Sequence, residues 1–285
     1  MSQFLPLRTV AREAILPGIG LHSGAMVTAR LQPRVEAGIV FARTDLLGQP
    51  EIAASLENVA TTTHATTLST GSATVSTTEH LLAALWALGV TNCRVALDGP
   101  EVPILDGSAA PWCRLIEEAG ILDAAGARPA YGLSHPVWIA SGQGSVLGLP
   151  HPEFRLTVAV DFGVDYAGRQ TIDFVVNPRT FADELAPART FTLEAWIEPL
   201  RAQGLIRGGS VENAIVLGAK APSLPFRFPD ELARHKALDV VGDLALLFGR
   251  DGGILNAHLI AVCAGHGLHR SWMQECVERN ALIRL

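Results

Sequence analysis

Strand-forming runs give way to helical periodicity twice along this chain of 285 residues, and that alternation limits the folds open to it. Residues 1–75 are mostly short β-rich runs, "MVTARLQP" and "GIVFARTD" among them, punctuated by glycine in "GIGLHSG". Leu81, Leu82, Leu85 and Leu88 then recur at helical spacing, with Ser76 or Thr77 as the expected cap and Gly89 as the expected stop. "NCRVALDG" reads as a strand, "PEVPILDGSAAP" as a loop and "WCRLIEEAGIL" as a second helix. Small residues, Gly and Pro fill Asp123–Ala130, which is taken as the domain boundary. Strands resume in "HPVWIAS", "SVLGLP", "RLTVAVDF" and "QTIDFVV". Helical pattern covers Thr192–Gln203 and about Pro229–Phe248, then a strand, "ILNAHLIAVCA", leads through "GHGLHRSW" into a last helix. Strands followed by helices, twice, predict an α+β protein of two comparable halves. No sequence repeat is evident, so any duplication would be one of structure.

Composition narrows the function classes. A hydrophobic fraction of 48% with 18% charged residues supports real cores and excludes general disorder. The formal net charge of −6 and the absence of like-charge runs argue against a nucleic-acid partner. The longest apolar stretch is about ten residues, Leu81 to Val90, where a spanning helix needs about 20. Arg8, Arg12 and Glu13 interrupt the region in which a signal peptide would be apolar, so an intracellular protein is expected. Four scattered cysteines with no C-x-x-C pair fit reduced thiols and exclude a finger-type zinc site.

Three places carry possible chemistry. In "FPDELARHKALDVVGDLALL", His235 and Asp239 are four apart, which on a helix puts both on one face, close enough to share an ion. A plain surface or capping pair has the same spacing. Asp239 and Asp243 sit in an apolar segment, however, and each buried carboxylate there needs its own positive partner. In "STTEHLLAALWALG", Glu79 suits the first helical turn through the macrodipole, which leaves His80 unexplained. Helical neighbours diverge by about 100°, so one can be a ligand while the other faces a metal-bound water. In "AGHGLHR", His266 lies between glycines at a strand-to-helix transition; His269, three residues on, is a possible decoy. His22 has the same glycine flanks and no role that spacing assigns, and His64, His135, His151 and His258 have no patterned company.

Taken together, the segments "GIGLHSG", "STTEHLLAAL", "PEVPILDGSAAP", "ARTF", "GGSVENAIV", "RHKALDVVGDL" and "GHGLH" resemble, in order, UDP-3-O-acyl-N-acetylglucosamine deacetylase, the zinc amidase family that commits Gram-negative bacteria to lipid A synthesis. The resemblance implies two similar α+β domains, here residues 1–126 and 127–285, with helical layers packed between two sheets and the cleft where they meet. It implies one zinc ion on His80, His235 and Asp239, Glu79 as general base, and His266 as general acid oriented by Asp243. Thr190 would help stabilise the oxyanion, Lys236 would lie near the cleft, and Asp161, Phe162 and Phe191 would contact the substrate, with Phe162 stacking on the uracil. Thr192–Val211 would form the acyl passage. The substrate would be the acylated UDP-amino-sugar, and the protein a cytoplasmic monomer. Cys263 stands where the family usually has a basic residue, and Ala65 where it often has a cysteine. The competing expectations are the same chemistry on another N-acetylated sugar or nucleotide, a non-catalytic zinc-binding protein on this fold, and a metal-free structural protein.

Overall fold

The computed structural model describes residues 5–285. Two seven-stranded sheets carry the chain, and the predicted α+β class with helical layers between two sheets is what it adopts. In the first sheet the central strand is Asn92–Leu97. Gly38–Arg43 runs parallel along one side of it and forms a hairpin with Glu51–Ala53. Met26–Gln32 runs antiparallel on the other side and pairs with Ala14–Ile19. Pro6–Val10 meets the start of the central strand in parallel and pairs with Ile121–Ala127.

The second sheet repeats this wiring around Ile254–Val262. Arg155–Asp161 is its parallel neighbour, paired in turn with Arg169–Val175. Gly144–Pro150 is its antiparallel neighbour, paired with Val137–Ser141. Ala130–Leu133 is parallel to its start and pairs with Leu282–Arg284. A helix precedes each central strand, Glu79–Ala87 in one half and Glu231–Leu244 in the other; a second follows it, Ala110–Ala119 and His266–Glu278. The chain is therefore a structural duplication with no repeat in its letters.

Local sequence explains most of these elements. Ile254–Val262 buries every second residue, Leu255, Ala257, Leu259 and Ala261, as a strand with one face on the core does. Glu79–Ala87 is buried on every face, which is why its pattern is apolar all round rather than striped. Gly89, at φ +83°, closes that helix in the left-handed conformation that glycine takes without steric cost.

One expectation is corrected. Neither Ser76 nor Thr77 caps the first helix; Thr78 holds the N-cap position with helical backbone angles and no capping bond. The hydroxyls are engaged elsewhere: Thr77 donates to the buried carboxylate of Glu101 at 2.7 Å, and Thr78 to the carbonyl of Thr66. Within the small-residue stretch Asp123–Ala130, residues to Ala127 form a strand, because Leu7–Val10 offers it an antiparallel edge, Val10 opposite Ile121 and Leu7 opposite Ala124.

Each half also carries an insertion ahead of its first helix. The first is a three-stranded sheet of Val59–Thr61, Thr67–Thr70 and Ala73–Val75. The second contains the Glu194–Ala202 helix and the parallel pair Phe191–Leu193 and Ile215–Leu217. Helices Glu79–Ala87 and Glu231–Leu244 cross in direct backbone contact: a Cβ on Gly242 would lie 2.0 Å from the carbonyl oxygen of Glu79. Gly242→Ala is expected to force the crossing apart and cost about 1–3 kcal/mol through overpacking, read as a lower Tm. A variant that melts with the parent would show that the crossing has slack.

Candidate active site

At that crossing, His80 from one helix meets His235 and Asp239 from the other. The Nε2 atoms of His80 and His235 lie 3.7 Å and 3.6 Å from Asp239 Oδ1, and all three side chains are buried. The imidazoles meet edge to face, with centroids 5.0 Å apart. His235 donates from Nδ1 to the carbonyl of Ala188 at 3.1 Å, which leaves Nε2 as the bare nitrogen toward Asp239. Burial, then the neighbouring His235, pushes His80 down to about 3, so it is a neutral ring with a free lone pair.

These residues fit a metal. Asp239 Oδ1 is buried and has no hydrogen-bond partner among the described residues, an unsatisfied state that a cation would relieve. A tetrahedral zinc with bonds of about 2.0–2.2 Å sets its ligand atoms about 3.3–3.6 Å apart, close to the separations seen. Two imidazole nitrogens and one carboxylate oxygen also leave a fourth position open. The other oxygen of Asp239 accepts from Lys236 Nζ at 2.6 Å. Burial opposes the charge on Asp239, yet Lys236, His235, His266 and His80 together hold it well below the usual carboxylate range.

Glu79, one residue before His80, faces Thr66 and His266. One oxygen accepts from the backbone N–H of Thr66 at 3.2 Å, and the other stands 3.8 Å from His266 Nε2. Burial pushes the Glu79 carboxyl up to about 7 against the pull of His266. His266 donates from Nδ1 to Asp243 at 2.7 Å. Burial disfavours its charge, but Asp243, the hydrogen bond it accepts, Asp239 and Glu79 outweigh this and raise His266 to about 9. The two carboxylates one turn apart thus have separate positive partners, Lys236 for Asp239 and His266 for Asp243.

The cluster opens into a cavity of about 900 Å³. Thr190, Phe191, Asp161, Phe162 and Lys236 all line it, as does Cys263. Phe162 packs edge to face on Phe191 at 4.7 Å, and Phe191 on His235 at 5.9 Å. Asp161 is open to solvent, paired with Arg169 at 2.9 Å. A mostly apolar wall comes from Leu193, Trp196, Ile197, Leu200 and Val211 of the second insertion. The segment bearing Thr190 is clamped on two sides: Arg189 pairs with the fully buried Glu231 of the Glu231–Leu244 helix at 2.8 Å, and the Thr190 N–H donates to the carbonyl of Gly107 at 2.7 Å. Gly107 must be glycine there, since its φ is +82° and a Cβ would sit 2.1 Å from the Asn213 carbonyl.

The residues that sequence reading left without roles are His22, His64, Thr66 and His269. His22 and His64 line the same cavity, and among the described residues neither ring nitrogen of His22 has a hydrogen-bond partner. Thr66 donates its hydroxyl to Asp243 at 2.6 Å, and His269, the suspected decoy, donates to the same carboxylate at 2.7 Å. Only the i, i+3 spacing from His266 hinted at the last.

The chain matches the family model described as LpxC, UDP-3-O-acyl N-acetylglycosamine deacetylase, over residues 7–278. It belongs to this deacetylase family. A relative from Thermosynechococcus vestitus, named UDP-3-O-acyl-N-acetylglucosamine deacetylase, is 47% identical over 264 residues, 92% of this chain and 90% of its own length. A protein of the same name from Myxococcus xanthus is 42% identical over 271 residues, 94% of this chain and 85% of its own. A third, from a Nostoc species, is 41% identical over 268 residues, 92% and 94% of the two chains. The match takes in both structural halves and every residue of the buried cluster. All four cysteines of this member are free thiols, three buried and Cys263 exposed. Among the described residues no helix is long and apolar enough to cross a membrane.

Proposed function

We propose that the protein hydrolyses the N-acetyl group of UDP-3-O-acyl-N-acetylglucosamine, releasing acetate and the free amine in lipid A biosynthesis, as a monomer in the cytoplasm with one zinc ion per chain. The observation that carries this reading is the juxtaposition of an unsatisfied His80–His235–Asp239 cluster with the Glu79–His266 pair at the head of a large cavity. His80, His235 and Asp239 would hold the zinc, which would supply a Lewis acid and an acidified water. Glu79, as carboxylate, takes a proton from the attacking water. His266, as imidazolium, gives its Nε2 proton to the departing amine, which leaves only when protonated. Asp243 orients His266 and keeps it charged. The hydroxyl of Thr190 helps stabilise the oxyanion. Lys236 holds the second oxygen of Asp239 and leaves the first for the ion.

Asp161, Phe162 and Phe191 are assigned to the substrate, Phe162 as the stacking partner of the uracil, and the apolar wall to the acyl chain. Residues 1–126 and 127–285 are assigned as the two domains, the first carrying the Glu-His motif and the second both the His-x-x-x-Asp motif and the acid. Acetate release from the acylated UDP-sugar, abolished by a chelator and restored by zinc, tests the reaction. Equal turnover of the same compound without its acyl chain would move the assignment to another N-acetylated substrate.

The acyl assignment makes its own prediction. Contacts remote from the amide support orientation at it. Ile197→Asp, which puts a charge into the apolar wall, should lower kcat/KM for a long-chain substrate at least ~10-fold more than for a short-chain one, given about 0.8 kcal/mol per buried CH₂. Equal losses would place the acyl chain elsewhere.

A further inference from the structure

Asp243 is the most heavily engaged carboxylate in the cluster. Its Oδ1 accepts the Thr66 hydroxyl at 2.6 Å. Its Oδ2 accepts from two imidazoles at once, His266 Nδ1 and His269 Nδ1, each at 2.7 Å. The two rings lie three residues apart on one helix, with centroids 6.0 Å apart and planes nearly perpendicular, so they approach the shared oxygen from different directions. His269 is 3% exposed, and among the described residues its Nε2 has no hydrogen-bond partner. A buried ring with one nitrogen unsatisfied is a net cost that an apolar side chain of similar volume would avoid. The bond it does make is the one to Asp243.

Nδ1 can donate there only in the Nδ1–H tautomer, and burial keeps the ring neutral. The same three groups also lie close enough to suggest a cation site. Their N···O separations of 2.7 Å are hydrogen-bond lengths, however, and shorter than the ~3.3 Å between neighbouring ligand atoms of a tetrahedral zinc. With Thr66 on one oxygen and His269 on the other, the carboxylate cannot swing about its Cβ–Cγ bond. On Oδ2 one acceptor direction then remains, and His266 occupies it.

We propose that His269 is a positioning residue for the acid: its Nδ1–H, with the Thr66 hydroxyl, holds the Asp243 carboxylate in the one orientation that seats His266 with Nε2 toward Glu79. The inference rests on the deacetylase reading above and adds to it a second histidine that touches neither substrate nor metal.

The test uses the zinc-loaded full chain with His269→Asn, His269→Leu and His269→Gln. The amide nitrogen of Asn reaches nearly where Nδ1 stands and can donate to Asp243. Leu fills the volume without a donor, and Gln carries its amide to the Nε2 position, away from the carboxylate. His269→Leu and His269→Gln should lower kcat about 10–100-fold, the usual loss for a residue that orients a catalytic group, with KM changed less than about 3-fold. Metal content should stay near one per chain, and His269→Asn should recover to within about 3-fold of the parent kcat. Should His269→Leu fail to fold, Asn against Gln makes the same comparison. Parent kcat in His269→Gln, or Asn impaired as much as Gln, would overturn the proposal, and so would metal falling from two per chain to one. A parent that releases acetate normally beside unimpaired variants removes only the role of His269. A parent with no metal-dependent acetate release removes the function reading, and this inference with it.

Discussion

Asp239→Ala is expected to leave the protein without bound metal and with no turnover above background. Asp239 Oδ1 lies within 3.7 Å of the Nε2 atoms of His80 and His235 and has no hydrogen-bond partner among the described residues, so its removal would take away the one anionic ligand of the proposed metal site. Loss of several kcal/mol of Lewis-acid stabilisation corresponds to about 10³-fold or more in rate. The substitution also leaves the part-buried Lys236 ammonium without its carboxylate, so Tm should fall too. His80→Ala and His235→Ala should lose metal as well, and His235→Ala in addition leaves the Ala188 carbonyl without its donor. Metal analysis of the three purified variants beside their acetate-release rates is the measurement. Full metal and full activity in all three would dismiss the assignment.

Turnover should be bell-shaped in pH, and Glu79→Ala and His266→Ala should each cost about 10²–10⁴-fold in rate while retaining metal. The signs follow from the roles. In its proposed role Glu79 acts as a carboxylate, so activity should rise as pH climbs through its pKa; burial places that at about 7 in the metal-free protein. In its proposed role His266 acts as imidazolium, so activity should fall as pH climbs through its pKa, about 9 in the metal-free protein. A bound dication favours the ionised carboxylate and disfavours the imidazolium, so both limbs in the loaded enzyme lie below those values. Asp243→Asn removes the charge that raises His266 and should move the alkaline limb to lower pH. An alkaline limb unmoved in Asp243→Asn would break the link between the two residues. The double variant Glu79→Ala/His266→Ala should lose less than the product of the single losses, since residues acting as a unit are not additive. Near-normal turnover in His266→Ala would give the acid role to Lys236 or to a water.

Much of the site was legible because it is local. A helix brings positions four apart to one face, so His235 and Asp239 were readable as a pair from spacing alone. The divergence of adjacent helical residues separated Glu79 from His80 in advance, and the structure turns one toward His266 and the other toward Asp239. The burial problem posed by Asp239 and Asp243 was visible as charge in an apolar segment, and its solution, Lys236 for one and His266 for the other, follows from the need to compensate buried charge. The capping of the first helix was misread because Glu101 competes for the Thr77 hydroxyl, and nothing within a helical turn of Thr77 announces that carboxylate.

Sequence by itself determined the class of fold, the order of strands and helices, the two short motifs and, through seven ordered segments, the family. Those features rest on periodicities of two and 3.6 residues, which a chain writes along itself. Tertiary structure alone decided that the two halves share one wiring diagram, that Gly242 lets two helices approach until His80 reaches Asp239, and that Thr66 finds Asp243 across 177 residues. It also turned His269 from a decoy into a partner of the same carboxylate, and brought His22 and His64 to one cavity. The physical reason is that these contacts depend on which buried faces meet. That is set by sheet register and helix crossing, and no local period carries it.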